Sequence, residues 1–183
     1  MDLVTNFDID GLHYDYIRFE ASTEGYNPTS VARYNERHGL SGSPSSSSEL
    51  FRQWRRDQVT ALVRQVYARI QTVKPMLKQS GSFVTWNPSP ASSTRSAFMG
   101  TRPYYDVYSD WDSWIQEGIL DVAFPMTYYN WASLPNDYVR WMNFEKDRKG
   151  NRHMVVGPGI YLNSLSNAIL ELNMTRDASP AGN

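Results

Sequence analysis

Strand-like and helix-like segments alternate along this chain, and that alternation limits its fold more than any other feature. Four strand-like stretches stand out: "GLHYDYIRF" (Gly11–Phe19), "KPMLKQSGSFVTWNP" ending near Trp86, "ILDVAFPMTYY" and "HMVVGPGIYL". Each is followed by a helical pattern or by a loop leading into one. Strands that alternate with helices pair in parallel through right-handed crossovers. The strands read as apolar on both sides, which suits helices on one face and a barrel interior or second helix layer on the other. The expected fold class is therefore α/β.

The helices carry their own punctuation. The longest, about Ser48 to Thr72, repeats apolar residues at helical spacing from Leu50 through Trp54, Val63 and Ile70. Its Arg-rich opposite face reads as a solvated surface. A second helix spans Asp110–Gly118, capped by Ser109 or Asp110 and stopped by Gly118. A third covers "LPNDYVRWMNFEKDRKG", and "SLSNAILELN" begins a fourth. Between the first strand and the longest helix lies a polar insert, residues 20–48. Within it Asn27 as cap, Pro28 in the first turn and Gly39 as stop predict a short helix. Its Ser45–Ser48 run is low in complexity and expected to be mobile. Residues 1–6 read as the last turn of a helix, so the chain is expected to be part of a longer protein.

Parallel α/β proteins place their chemistry at the carboxyl ends of strands. The four ends here read "HYDYIRF", "VTWNP", "PMTYYNW" and "GPGIYLN". They share Asp, His, Asn, Tyr and Trp where loop filler would be ordinary. Along the first strand, alternation puts Gly11, His13 and Asp15 on one face and Leu12, Tyr14 and Tyr16 on the other. A buried charge needs a partner, so His13 and Asp15 must be paired or face a wet cavity. The bland arrangement has Asp10 capping a turn, His13 bonding a neighbour and Asp15 paired with Arg18. The matching polar and aromatic ends of the other strands favour a site instead.

Composition removes several classes. Formal net charge is −1, so the chain has no basic field to attract nucleic acid. With no cysteine there is no disulfide framework, thiolate metal site or thiol nucleophile. His38 and His153 lack ligand-spaced partners, so no metal site is expected, and no phosphate-cradling Gly loop appears, so no cofactor is expected. No apolar run reaches membrane-spanning length. Aromatic residues make up 14% of the chain. Most fill a core, as expected for Trp111, Trp114 and Trp141 on helices, but those at strand ends suit stacking on sugar rings.

The stretches "NFDIDGLHYDYIRF", "GYNPTSVARYN", "SDWDSWIQEGILDVAFPMTYY" and "VVGPGIYLN" resemble the glycosyl-hydrolase-like 10 family over residues 3–176. The resemblance implies a TIM (β/α)8-type barrel, of which residues 1–183 form one partial domain of about four βα units, the fourth to seventh. "TRDASPAGN" would stop short of the last strand. It also implies a bacterial protein, extracytoplasmic in its full-length form, that acts on cell-wall or related glycans. In the family's first motif, Asp-Gly-(Ile/Val)-His-Phe-Asp-Asp-Tyr, Asp10, Gly11, His13 and Asp15 match, and Tyr16 replaces the second paired Asp. In Pro-Gln-(Ile/Leu)-Tyr, Pro125 and Tyr128 match, and Met126 replaces the Gln. A chitinase-type motif would put its acid at Ile17, which disfavours that mechanism.

Asp15 is the first choice for one of the two carboxyl groups that glycoside hydrolysis needs. His13 and Asp10 are its companions in the expected catalytic set, with no second carboxylate assigned. Arg18, Trp86, Asn87, Tyr128, Tyr129, Trp131 and Tyr161 are the expected sugar contacts. Asp110 reads as a cap, and Asp121 lies at the wrong end of its strand. The expected function is a glycoside hydrolase, or part of one, acting on a polysaccharide such as peptidoglycan glycan. The alternatives are a non-catalytic carbohydrate-binding domain and a scaffold fragment. A partial barrel also leaves sheet edges open, so self-association through them, or cover by the insert and termini, is expected.

Overall fold

The computed structural model describes residues 2–178. In chain order the elements are α1 (Asp2–Asn6), β1 (Gly11–Tyr14), α2 (Pro28–His38), α3 (Glu49–Val73), β2 (Lys78–Val84), α4 (Arg95–Met99), α5 (Arg102–Tyr105) and α6 (Trp111–Glu117). They continue with β3 (Val122–Thr127), α7 (Pro135–Arg148), β4 (His153–Met154), β5 (Gly157–Pro158), a 3₁₀ turn (Ile160–Leu162) and α8 (Leu165–Ala178). The last residues of "TRDASPAGN", 179–183, lie outside the described residues.

All the strands run parallel in sequence order, β1–β2–β3, with β4 and β5 both pairing along β3. Neighbouring strands are joined by helices, as in consecutive units of a TIM-type barrel. The register sets His13 opposite Ser80, Ser82 opposite Phe124, and Val84 opposite Met126. Strand alternation then divides the sheet. Phe83 and Ala123 point into the helical layer and are buried, while His13 faces the other side and is exposed. That second face is more polar than the sequence suggests, since Ser80 and Ser82 lie on it beside His13.

The core lies between sheet and helices and is largely aromatic. Trp111, Trp114, Trp141, Phe83, Phe98 and Phe144 are almost fully buried. Phe98 meets Trp111 edge-on at 4.9 Å, and Phe83 stacks on Trp111 at 5.9 Å. Burying each such side chain contributes about 1.5–3 kcal/mol. Gly81 makes room for the Phe83 ring of its own strand: a Cβ there would stand 2.7 Å from it.

The amino ends of the strands are tied by a polar cluster. Asp121 accepts the backbone N–H of Gln79 and an N–H of Arg152, each at 2.8 Å. Gln79 in turn donates to the Ile119 carbonyl at 2.8 Å and accepts from the Tyr14 hydroxyl at 3.1 Å. Asp121 is thus structural.

Four local features differ from the sequence reading. β1 ends at Tyr14, because Tyr16 takes a left-handed backbone with φ 53°, which no strand accommodates. Tyr16 therefore leaves the core side and is exposed. The fourth strand is split, with Val155–Val156 between β4 and β5, and a 3₁₀ turn replaces its end. Arg55 and Arg56 are buried rather than solvated, at 0% and 2% exposure. Aromatic residues of the insert and of the segment after β2 cover them: Arg55 lies 4.1 Å from the Tyr108 ring and 5.5 Å from that of Tyr26, and Arg56 4.1 Å from the Tyr104 ring of α5. Finally, Ser48 of the serine run is the cap of α3, its hydroxyl accepting the Phe51 N–H. The insert's α2 packs Tyr34 on Phe51 and Trp54 of α3.

Candidate functional site

At the carboxyl ends of β1, β2 and β3 lies a cleft of about 720 Å³. Asp15 enters it directly after β1, Trp86 and Asn87 just after β2, and Tyr128 just after β3. Tyr16, Arg18 and Arg102 complete the polar side, while Val84, Met126 and Leu134 supply apolar surface.

Each wall follows from local structure. The left-handed turn at Tyr16 breaks β1 and swings Asp15 and Tyr16 together to the rim. Asp15 is exposed and accepts the Tyr16 backbone N–H on Oδ1 at 2.9 Å. It forms no ion pair with Arg18 or with any other described cation within 4.0 Å, so the bland pairing is not what the chain adopts. The Arg18 guanidinium lies 4.5 Å from the Tyr16 ring and 5.3 Å from the Trp86 ring. The Arg102 guanidinium approaches Trp86 to 4.9 Å, while its Nε donates to Asp106 at 2.8 Å. Trp86 is thus held by two cations.

The remaining sequence candidates divide. Tyr128 is half-exposed in the cleft, and Tyr161, largely exposed, meets it edge-on at 5.9 Å, extending the aromatic wall outward. Tyr129 lines the cleft but is only 5% exposed, and its hydroxyl donates to the Thr85 carbonyl, so it supports the wall instead of offering a stacking face. Burial raises that hydroxyl's pKa. Trp131 is not part of the lining. Its ring packs on Tyr138 at 6.0 Å, and its backbone N–H donates to Asn163 Oδ1 at 2.7 Å. Asp10 stands at the amino end of β1, beside Lys74 and Met76 in a separate hollow, so it does not reach the cleft. Strand polarity decides this, as it does for Asp121.

His13 lies deeper, on the sheet face below Asp15. Its two ring nitrogens each meet a serine hydroxyl at 2.9 Å, Nδ1 that of Ser80 and Nε2 that of Ser82, and Phe124 faces the ring edge-on. His13 and Ser82 line a hollow of about 310 Å³ that shares Met126 and Tyr128 with the cleft. The His13 face and the cleft are therefore neighbours.

Sequence reading passed over Arg102, Tyr16 and two buried carboxyls. Arg102 opens a four-residue helix, and the only sign of it was Pro103 in a first turn. Glu145 is fully buried on α7 and accepts from the Thr127 hydroxyl at 2.9 Å; burial pushes its carboxyl up to about 8. Glu171, buried on α8, accepts from Asn163 and is pushed up to about 7 by burial. Neither lines the cleft. Asp110 and Asp112 are tied to Arg95, and Asp112 also to Arg148 at 2.8 Å. Among the described lining residues Asp15 is the one carboxylate. Among the described residues no cluster has the makings of a metal site, and no helix is long and apolar enough to cross a membrane.

Comparison with known proteins gives concordant matches. The sequence model of a family described as glycosyl hydrolase-like 10 matches residues 1–172. The chain is similar to the glycosyl hydrolase YngK of Bacillus subtilis (strain 168), 31% identical over 166 residues, covering 87% of this chain and 31% of that protein. It is similar also to the glycosyl hydrolase DigH of Escherichia coli (strain K12), 25% identical over 129 residues, covering 70% of this chain and 28% of that protein. The chain thus spans about a third of the length of these curated relatives.

Proposed function

This chain belongs to the glycosyl hydrolase-like 10 family, and from that premise we propose that its cleft binds and cuts a bacterial polysaccharide such as peptidoglycan glycan, with Asp15 as one catalytic carboxylate. One observation carries the reading. An exposed carboxylate with no cation partner stands beside Trp86 and Tyr128, at the end of a parallel sheet where such folds hold their sites. A flat aromatic face orients a sugar ring, and the carboxylate acts on the bond next to it.

The chemistry needs two carboxyl groups, about 5–5.5 Å apart for retention or about 6.5–9.5 Å apart for inversion. The second comes from outside the lining described above, consistent with a chain that covers about a third of its relatives. His13 forms the floor beneath Asp15, and Arg18 and Arg102 hold the Trp86 wall. A cell-wall substrate would place the working protein outside the cytoplasm.

A second reading, a glycan-binding domain without turnover, is favoured by one fact: Asp15 has no carboxylate companion among the described lining residues. The two separate in one assay, release of new reducing ends from purified glycan strands alongside binding to the same strands. Turnover supports the hydrolase. Binding without turnover supports the binding domain. Neither would end both.

A further inference from the structure

The geometry points to Arg18 as a specificity-determining residue that reads a carboxylate carried by the sugar. This rests on the glycan reading of the cleft and narrows it to an acidic saccharide.

Arg18 is half-buried and lines the cleft, yet among the described residues no carboxylate lies within ion-pair distance of it. Its one side-chain hydrogen bond among the described residues is a long contact, 3.4 Å, from Nη1 to the carbonyl of its own neighbour Phe19. The other cleft arginine differs: Arg102 is neutralised by Asp106 at 2.8 Å. A partly desolvated cation without a counter-ion is unfavourable unless something else satisfies it. The rings of Tyr16 and Trp86, 4.5 and 5.3 Å from its centre, hold the guanidinium in place. Ring contacts leave its in-plane N–H groups available apart from that one long contact, and the planar fork matches a carboxylate through two parallel hydrogen bonds.

The position also fits a sugar acid. A ring laid on the Trp86 or Tyr128 wall carries its substituents outward at its edge, where a carboxylate can meet Arg18. Asp15 is negative in the same cleft, so it repels an anion from its own side and sends the acidic group toward Arg18. Two sugar types offer this chemistry: a lactyl ether, as on muramic acid, and a uronic acid.

The test is a comparison of three proteins, wild type, Arg18→Gln and Arg18→Lys, on paired ligands. Binding of oligosaccharides bearing a lactyl ether, and of others bearing a uronic acid, is measured by calorimetry beside their carboxyl-reduced forms. Wild-type protein should prefer at least one acidic form by about 10- to 100-fold over its reduced form, the range for charge-assisted pairing. In Arg18→Gln that preference should fall to about one. Arg18→Lys, which keeps the charge but not the fork, should retain part of it. The preferred arm identifies the sugar type.

A preference near one in the wild type overturns the inference while leaving the glycan reading intact. So does Arg18→Gln lowering acidic and reduced ligands in equal proportion, which would make Arg18 a packing residue for Trp86. Wild-type protein that binds no oligosaccharide in any arm overturns both readings. Melting curves for each variant show that the folded protein is being compared.

Discussion

Asp15 accepts the backbone N–H of Tyr16 on Oδ1 at 2.9 Å, so the turn that ends β1 also aims the carboxylate. An asparagine at position 15 keeps the same acceptor atom but cannot ionise. Asp15→Asn is therefore expected to fold and melt as the wild type does, and to retain glycan binding. Its turnover should drop by about 10²–10⁴-fold, the usual contribution of a positioned acid–base group. Reducing-end release and calorimetry on one preparation check this. A variant that melts much earlier would show instead that Asp15 serves the fold.

His13 is expected to act through position. Its ring is exposed, so His13→Ala should cost less than about 1 kcal/mol of stability. Removing it takes a partner from the Ser80 and Ser82 hydroxyls and opens the floor of the neighbouring hollow. Asp15 lies two residues further along, about 7 Å at strand spacing, so substrate should sit less firmly against it. The expected result is a fall of about 10-fold in kcat/KM with little change in melting temperature. Steady-state kinetics on soluble oligosaccharides would read it.

Glu145 sets a pH dependence whose sign follows from burial. Its carboxyl ordinarily titrates near 4.5 and is pushed up to about 8 in the fold, with the Thr127 hydroxyl opposing the shift. Between those values the folded state holds a proton that the unfolded chain has released, so stability falls as pH rises. The contribution is greatest below 4.5, declines through the window and levels off above about 8. Glu171, pushed up to about 7, acts in the same direction over a narrower range. Glu145→Gln cannot ionise. It should flatten the decline and stabilise the protein at the upper end of the window by roughly a few kcal/mol. Thermal melts across the window test this; parallel curves for wild type and variant would contradict it.

Sequence legibility followed the range of the forces involved. Caps are local chemistry, and Asn27, Pro28 and Gly39 bracket α2 as read, as Asp110 and Gly118 bracket α6. Strand–helix alternation gave the parallel order. What escaped depends on distant partners. Arg55 and Arg56 look like surface on a helical wheel, and only the aromatic rings folded over them make them interior. Trp131 shares the strand-end neighbourhood of Tyr128, but Tyr138 and Asn163 hold it half-buried against the core. The helices α4 and α5 are five and four residues long, too short to show a period, so Arg102 could not be placed beside Trp86.

Arg55 links that hidden packing to the cleft. It is fully buried on α3, stacked 4.1 Å from Tyr108 and 4.5 Å from Phe51, and its Nη1 donates to the carbonyls of Ser22 and Glu24 at 2.7 and 2.8 Å. These bonds pin the chain that leaves the cleft just after Arg18, where Phe19 N–H also reaches the Val107 carbonyl at 3.0 Å. Methionine keeps much of the stem's packing but offers no donor. Arg55→Met should therefore lose roughly 1–3 kcal/mol for the two charge-assisted bonds, partly offset by relief of a buried charge. The exposed Arg69→Met on the same helix should change stability by less than about 0.5 kcal/mol. The loss should be felt first in the pinned segment, so limited proteolysis should cut between residues 20 and 26 sooner than elsewhere. Freed from that anchor, Arg18 should hold substrate less tightly, raising KM more than it lowers kcat. Cleavage first at another site, or a fall in kcat alone, would break the connection between the buried arginine and the cleft.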